Sequence, residues 1–348
     1  MNTKTLLAAL LTAPCLAGLG WRSDEIQFRV EDGVELRKEL TIEMTFTLDD
    51  ANVEADGENL SEGFPGDLEL VAKGELSVTD RYVTVRAGKP VELIRRFESI
   101  SGRWSAEGGG SSESGDVPDI DDLEGRSVRF AWSEEDQTYD IAFDGEDGDT
   151  ALLEGLDPDL DFRSLLPERA VSEGDRWEVS GPKLSAIFFA GAISVPPDAG
   201  GDDEMTRILV EAVEPQLERL GENVRVICTY TGSREVAGAR LGAIQLSLEG
   251  DGSLDCADAL MRVIETNVPS EIEVDLDLER AEVKFELGGR GELLWHLAEG
   301  RLHAFELEPE LDLDLDFAMS VDVEGESHSM SASLQLRGMG AWRASVAD

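Results

Sequence analysis

The chain holds only three histidines. Two of them, His296 and His303, flank Ala298-Glu-Gly-Arg301, a spacing that could bring two imidazoles onto one divalent metal across a hairpin. A two-residue turn at Glu299-Gly300 would set them directly opposite each other. A three-residue loop with Gly300 in the left-handed position pairs Leu297 with Arg301 and Trp295 with His303 instead. The second register gathers Leu293, Trp295, Leu297, His303, Phe305 and Leu307 on one side and leaves His296, Ala304 and Glu306 on the other. Apolar alternation fixes register, so the histidines are expected on opposite faces, with His303 a core residue beside Trp295. No metal site is assigned, and the third histidine, His328, falls in an expected turn, Gly325–Ser329.

Carboxylates offer the second possible chemistry. Glu271–Glu279 and Glu306–Asp316 carry an acid at nearly every second position, and a surface of that kind could hold Ca2+ weakly through several oxygens. As neighbours, the two rows would set like charges opposite each other, a cost that a cation relieves. The alternative is a solvated face on strands that need not touch. Loop geometry gives calcium no help: Asp50–Asp56 has Ala55 where the turn glycine should stand, and Asp144–Gly155 fails at several positions. Hydrolase, nucleotide and dinucleotide signatures are missing as well: there is no G-x-S-x-G, no H-E-x-x-H, no Walker loop, and no G-x-G-x-x-G after a strand. With 75 acids in the chain, no pair stands out for two-carboxylate hydrolysis. No catalytic, cofactor-binding or metal residue is assigned. The element Gly174-Asp175-Arg176-Trp177 reads as a turn feeding a strand, with Trp177 as a core anchor.

The elements that would position these residues are strands. Glu306–Phe317 (ELEPELDLDLDF) alternates carboxylates with large apolar residues at a period of two, the pattern of a strand with one wet and one buried face. Further strands are expected at Ile26–Val30, Leu36–Leu48, Leu68–Val78, Arg81–Arg86, Val91–Ser99, Val224–Thr231, Leu241–Gly250, Glu271–Gly288, Glu292–Leu297, Leu302–Val323 and Met330–Trp342. A hairpin is expected from Ser127–Trp132 and Thr138–Phe143. Asp49–Asp67 reads as an acidic loop and 105–118 (SAEGGGSSESGDVP) as a flexible linker. The best helix candidate is 203–220, kinked at Pro215. The fold class is therefore mainly β with minor α, a long antiparallel curved sheet or half-barrel. It divides into a signal peptide, 1–17, an N-terminal β half, 18–162, and a C-terminal β half, 163–348. The halves read as one elongated unit or as two versions of one β unit.

Lys4 followed by the uncharged run Thr5–Gly20 is a secretory signal, with cleavage before Gly18 or after Gly20. Pro14 argues against a lipid anchor at Cys15, and nothing later is long and apolar enough to span a membrane. The expected location is extracytoplasmic, periplasmic or secreted. Cys228 and Cys256 remain after cleavage. A helix at Ser253–Thr266 would let them bond, whereas a further strand there would hold them about 9.6 Å apart. The net charge of −45 repels polyanions, so nucleic acid is an unfavourable partner.

Two patches, Leu166–Trp177 (LPERAVSEGDRW) and Asp80-Arg-Tyr82 with Gly88-Lys-Pro90 and Arg95-Arg-Phe97, resemble uncharacterised secreted proteins of planctomycete-type bacteria, as does Gly289–Arg301 (GRGELLWHLAEGR). The pieces cover about a third of the chain, and the resemblance implies no activity. The expected architecture is also similar to LolA-type half-barrels that carry lipids or lipoproteins across bacterial envelopes. Together these readings describe an exported, non-enzymatic protein that binds an apolar ligand or lipid on a curved sheet, with Phe305, Leu307, Leu311, Leu313, Leu315 and Phe317 as the facing row. The alternative is an acidic, cation-dependent surface module, and the third is an unrecognised hydrolase. The like-charged rows predict that added salt or calcium raises the thermal midpoint; an unchanged midpoint between dilute and high-salt buffer would remove that reading.

Overall fold

A computed structural model describes residues 23–61, 66–116, 122–145, 147–184, 223–257, 261, 274–323 and 326–347. The expected helix 203–220 lies outside them. The alternating sequences form strands, several much longer than the usual five or six residues. In chain order these are β1 (Glu35–Ala55), β2 (Glu58–Asn59), β3 (Glu69–Arg86), β4 (Lys89–Gly108), β5 (Ser111–Asp116), β6 (Ser127–Ser133) and β7 (Thr138–Phe143), then β8 (Arg176–Ser180), β9 (Arg225–Val236), β10 (Ala239–Asp255), β11 (Val274–His296), β12 (Arg301–Val323) and β13 (Glu326–Val346). They make one antiparallel sheet of 13 strands, in the order β7-β6-β4-β3-β1-β13-β12-β11-β10-β9-β8, with β2 and β5 attached to β1 and β4. The sheet is open, not closed into a barrel. Chain order is kept on each flank, and the first and last long strands, β1 and β13, join the flanks at the middle.

The sheet segregates its two faces. Where β1, β13, β12 and β11 lie side by side, Phe46, Gly338, Leu311 and Leu287 share one face, and Leu48, Leu336, Leu313 and Phe285 follow in the next row. Thr47, Arg337, Asp312 and Glu286 stand on the other. Among the described residues, the large core cluster packs one end of the apolar face. There the segment 24–34 and the segment 150–184 cross it, and Ile26, Phe28, Val30, Leu153, Leu156, Leu160, Phe162 and Leu165 join strand residues in a single core. Ile26–Val30 alternates as a strand would but forms no ladder. It is held by the Asp24–Val171 bridge, by Arg29 N donating to Gly300 O (2.8 Å) and by Trp295 Nε1 donating to Gln27 O (3.1 Å). Alternation there reports a core on one side and water on the other, not pairing. Phe28 lies 5.3 Å from the Tyr82 ring on β3 and 6.5 Å from Trp295 on β11. Those strands are four steps apart, about 19 Å on a flat sheet. The sheet therefore coils round its apolar face at the packed end.

Several expectations are corrected. Asp49–Asp67 is not all loop: β1 continues to Ala55 through a bulge between Leu48 and Asp50. The linker-like 105–118 contributes Ser105–Gly108 to β4 and Ser111–Asp116 to β5. A Gly/Ser/acid sequence forms strand there because β4 supplies a template and Gly109-Gly110 turn with positive φ. Glu271–Gly288 and Glu292–Leu297 are one strand across Gly288, Gly289 and Gly291. His328 lies in β13 opposite Val321, not in a turn, with Nδ1 2.8 Å from Asp56 Oδ2. The cysteines match neither geometry foreseen for them. Cys228 on β9 is opposite Leu246, and Cys256 follows β10 ten residues further along. That is about 33 Å of strand, so the two thiols are free.

Candidate functional site

Charged residues occupy apolar-phase positions at three places in the packed end. Lys38 follows the phase of Leu36 and Leu40 on β1, Asp80 that of Val78 and Tyr82 on β3, and Arg95 that of Leu93 and Phe97 on β4. Alternation forces all three side chains inward, where an unpaired charge would cost several kcal/mol. They pair instead. Arg95 grips Asp80 with Nε (2.7 Å) and Nη2 (3.0 Å) and donates to the carbonyls of Asp157 (2.7 Å) and Pro158 (3.2 Å). Lys38 Nζ reaches Asp80 Oδ2 (2.8 Å), the Tyr82 hydroxyl (2.7 Å) and Asp161 Oδ1 (2.7 Å). The Tyr82 hydroxyl donates to Asp161 Oδ2 at 2.6 Å. Two cations meet two carboxylates, and the four charged side chains are essentially solvent-free.

Asp157, Pro158 and Asp161 come from the crossing segment, so this cluster ties that segment to β1, β3 and β4. Asp159 organises the turn: its carboxylate accepts from the amides of Asp161, Arg163 and Ser164 and pairs with Arg163 Nε at 2.8 Å. Phe162 takes φ +55°, a left-handed conformation costing a non-glycine residue about 1–2 kcal/mol. It stacks on Phe305 of β12 at 4.0 Å. Asp161 thus engages one flank of the sheet while Phe162 engages the other.

Burial works against the Asp80 carboxylate, but Arg95 and Lys38 outweigh it and hold its pKa at about 2. Burial, reinforced by Asp161, pushes the Tyr82 phenol well above its usual value. This is a neutral, internally satisfied cluster with no approach for a substrate, and its chemistry is structural.

The second feature is the opposite end of the same apolar face. The core cluster ends at Ile42, Trp342, Leu311, Leu313 and Leu287. Beyond them, Met44, Phe46, Leu48, Ala51 and Val53 on β1 continue beside Leu336, Leu334 and Ala332 on β13. Leu315, Phe317 and Met319 on β12 and Val283 and Ala281 on β11 continue in register with these. Leu48, Val53 and Ala281 are buried here and the other apolar side chains of this end are half-buried. Its relief is low: a methyl group on Gly338 would strike the Phe46 ring, and one on Gly340 the Met44 sulfur and Pro309, so these side chains lie flat over glycines. Leu70, Trp104 and Met330 at its margins are 37%, 41% and 42% exposed.

The expected site residues are not brought together. Trp295 pairs with Leu302 and His296 with Arg301, with a bulge between Leu294 and Trp295. The loop is thus one residue longer than expected, and His303 is half-buried in the bulge instead of packing opposite Trp295. His296 Nδ1 accepts from Glu299 N (3.1 Å) and Nε2 lies 3.1 Å from the Glu299 carboxylate, so both ring nitrogens serve the turn. Trp177 is partly buried and donates to Leu165 O at 3.0 Å.

The acidic strands are neighbours, but the register shifts their rows. Glu306–Asp316 faces Glu282–Glu292, in which Lys284 and Arg290 oppose Asp314 and Glu308. From β13, Arg343 pairs with Glu306 (3.0 Å) and Arg337 with Asp312 (3.2 Å). Among the described residues, no three His, Cys, Asp or Glu side chains group as a metal site would require.

No family model and no curated protein matches this chain. Searches of solved structures return the outer membrane protein OprG of Pseudomonas aeruginosa (7% identity, 91% of this chain, 98% of that one, TM-score 0.17). They also return OccK5 (OpdH) of the same organism (6%, 92%, 100%, 0.20) and a mutant porin of Rh. blastica (9%, 90%, 100%, 0.15). TM-scores this low carry no argument. No described helix is long and apolar enough to cross a membrane.

Lys38→Met removes the cation shared by the buried Asp80 and Asp161 carboxylates and should destabilise the fold by about 3–5 kcal/mol. Lys38→Met/Asp161→Asn should recover part of that loss in urea titrations; strictly additive costs would deny the coupling. Because Asp80 titrates lower folded than unfolded, its contribution is present above about pH 4 and is lost as pH falls towards 2. Asp80→Asn should therefore flatten the stability profile across that window.

Proposed function

We propose that this chain is an exported, extracytoplasmic carrier that holds an apolar ligand against the open end of its sheet. The observation that supports it is the continuation of β1, β11, β12 and β13 past the described core, with apolar side chains on one face as far as Val53, Ala281, Met319 and Met330. Burying apolar area stabilises by about 25 cal/mol per Å2. The described core cluster stops short of these strand ends, and a hydrocarbon laid along the strands would add burial there. The N-terminal Lys4 and the uncharged run 5–20 support export. The likeness to secreted planctomycete-type proteins and to LolA-type carriers stays a matter of short motifs and architecture. The packed end would act as the fixed base of the carrier, since its ionic cluster and crossing segments are fully engaged with their own chain.

The uncharged dye Nile red should bind the wild-type protein with enhanced fluorescence. Leu334→Arg places a cation on the open apolar face and should weaken binding about tenfold, equivalent to ~1.4 kcal/mol. Gln335→Arg, one residue along the same strand and therefore on the other face, should leave it unchanged. Equal effects of the two substitutions, or no binding by the wild type, would contradict the proposal.

A further inference from the structure

The sheet ends at β7, and the residues of that edge strand match a second copy of themselves. We infer that two copies of this chain pair β7 with β7, antiparallel, across a two-fold axis at Ile141. The inference is independent of the ligand reading above.

β7 has β6 on one side and no strand on the other. Asp144 N donates to Ser127 O (2.8 Å), which sets the phase of the β6–β7 ladder. Arg129 with Ala142 and Ala131 with Asp140 are then the pairs that exchange hydrogen bonds. The N–H and C=O groups of Tyr139, Ile141 and Phe143 therefore point away from β6. Among the described residues, none of these main-chain groups has a partner. The ladder runs from Thr138 to Phe143 without a bulge, and the strand holds neither proline nor lysine. Those are devices by which sheet edges ordinarily refuse a further strand.

The side chains select the partner and the register. Tyr139, Ile141 and Phe143 pack inward against the core, while Asp140 and Ala142 are exposed on the outer face. An axis at Ile141 lets the three N–H and three C=O groups of each copy find each other. It sets Tyr139 against Phe143 of the other copy on the inner face and Asp140 against Ala142 on the outer one. An axis at Asp140 would place that acid against itself, and one at Ala142 would oppose Asp140 and Asp144. Like charges directly opposite are destabilising. Axes at Tyr139 or Phe143 would run part of the edge past the strand end. The Ile141 register also supplies an attraction. Arg129 stands directly opposite Ala142 on β6, two strand steps or about 9.6 Å from Asp140 of the other copy. Ala142 is too small to obstruct the space between them. The Arg129 side chain is 49% exposed and 3.8 Å from Glu92, so it can extend over Ala142. The contact is isologous, and each copy contributes both halves of it.

Two terms oppose association. A six-residue strand offers a small interface, and each copy carries a net charge of −45, screened only beyond about 8 Å at physiological salt. The dimer is therefore weak and favoured by salt.

Sedimentation velocity of the full mature chain, over a concentration series in low and high salt, tests this. The expected result is a reversible monomer–dimer equilibrium that high salt shifts towards dimer. Ala142→Asp sets an acid against Asp140 on both sides of the axis and should weaken the dimer at least about tenfold, equivalent to ~1.4 kcal/mol. Ala142→Lys should strengthen it. Ser112→Asp adds the same charge at an exposed position of β5 and should leave it unchanged. A monomer at every concentration and salt, or a dimer that responds alike to Ala142→Asp and Ser112→Asp, would overturn the inference.

Discussion

Two cations on the buried phase of neighbouring strands are the constraint around which the packed end is organised. Lys38 and Arg95 cannot stand in an apolar core without anions. Asp80 supplies one carboxylate from β3, and the second must come from outside the sheet. Asp161 supplies it, and the segment that carries Asp161 is thereby fixed across the sheet. Ion pairs of this kind contribute little net stability compared with a well-packed apolar cluster, but breaking one is costly. Their effect here is positional: one arrangement of the crossing segment satisfies every charge.

Fixing that segment has a mechanical consequence. With Asp161 bound to β1 and β3, Phe162 stacks on β12, and Phe28 beneath them touches rings from β3 and β11. The flanks of an open sheet are held in a coil by contacts made on the inside of the curve. The strands then run on past the packed core with their face pattern unchanged. Apolar side chains stay on the inner face, and arginines are interleaved with acids on the outer one. The same alternation that builds the core thus builds a surface that the described core does not cover.

Much of this was legible in the sequence, for a simple reason. A period of two over ten or more residues has few readings besides a strand with unlike faces, so β11, β12 and β13 were located closely from Glu271–Gly288, Leu302–Val323 and Met330–Trp342. Strand ends and loops were less legible. Ser105–Asp116 pairs because β4 offers a template, a tertiary fact invisible in a Gly/Ser-rich stretch. The His296/His303 register turned on a single bulged residue, which alternation alone cannot place. The ionic cluster was missed although its signal was present. Lys38, Asp80 and Arg95 each interrupt an apolar phase, and Asp80, Tyr82 and Arg95 lie within the patches singled out for resemblance. Charges in the inward phase of strands imply partners, and Asp161 with Asp159 in DPDLDFR was the acidic segment able to provide them.

The claim at the centre of this account is that the open end of the sheet is a surface for an apolar ligand. Native mass spectrometry of the mature protein, purified from a host that exports it, addresses that claim most directly. The account predicts a bound mass in the range of a long-chain hydrocarbon or lipid that is lost on denaturation. A clean apoprotein mass, unchanged after incubation with uncharged long-chain amphiphiles, would contradict it.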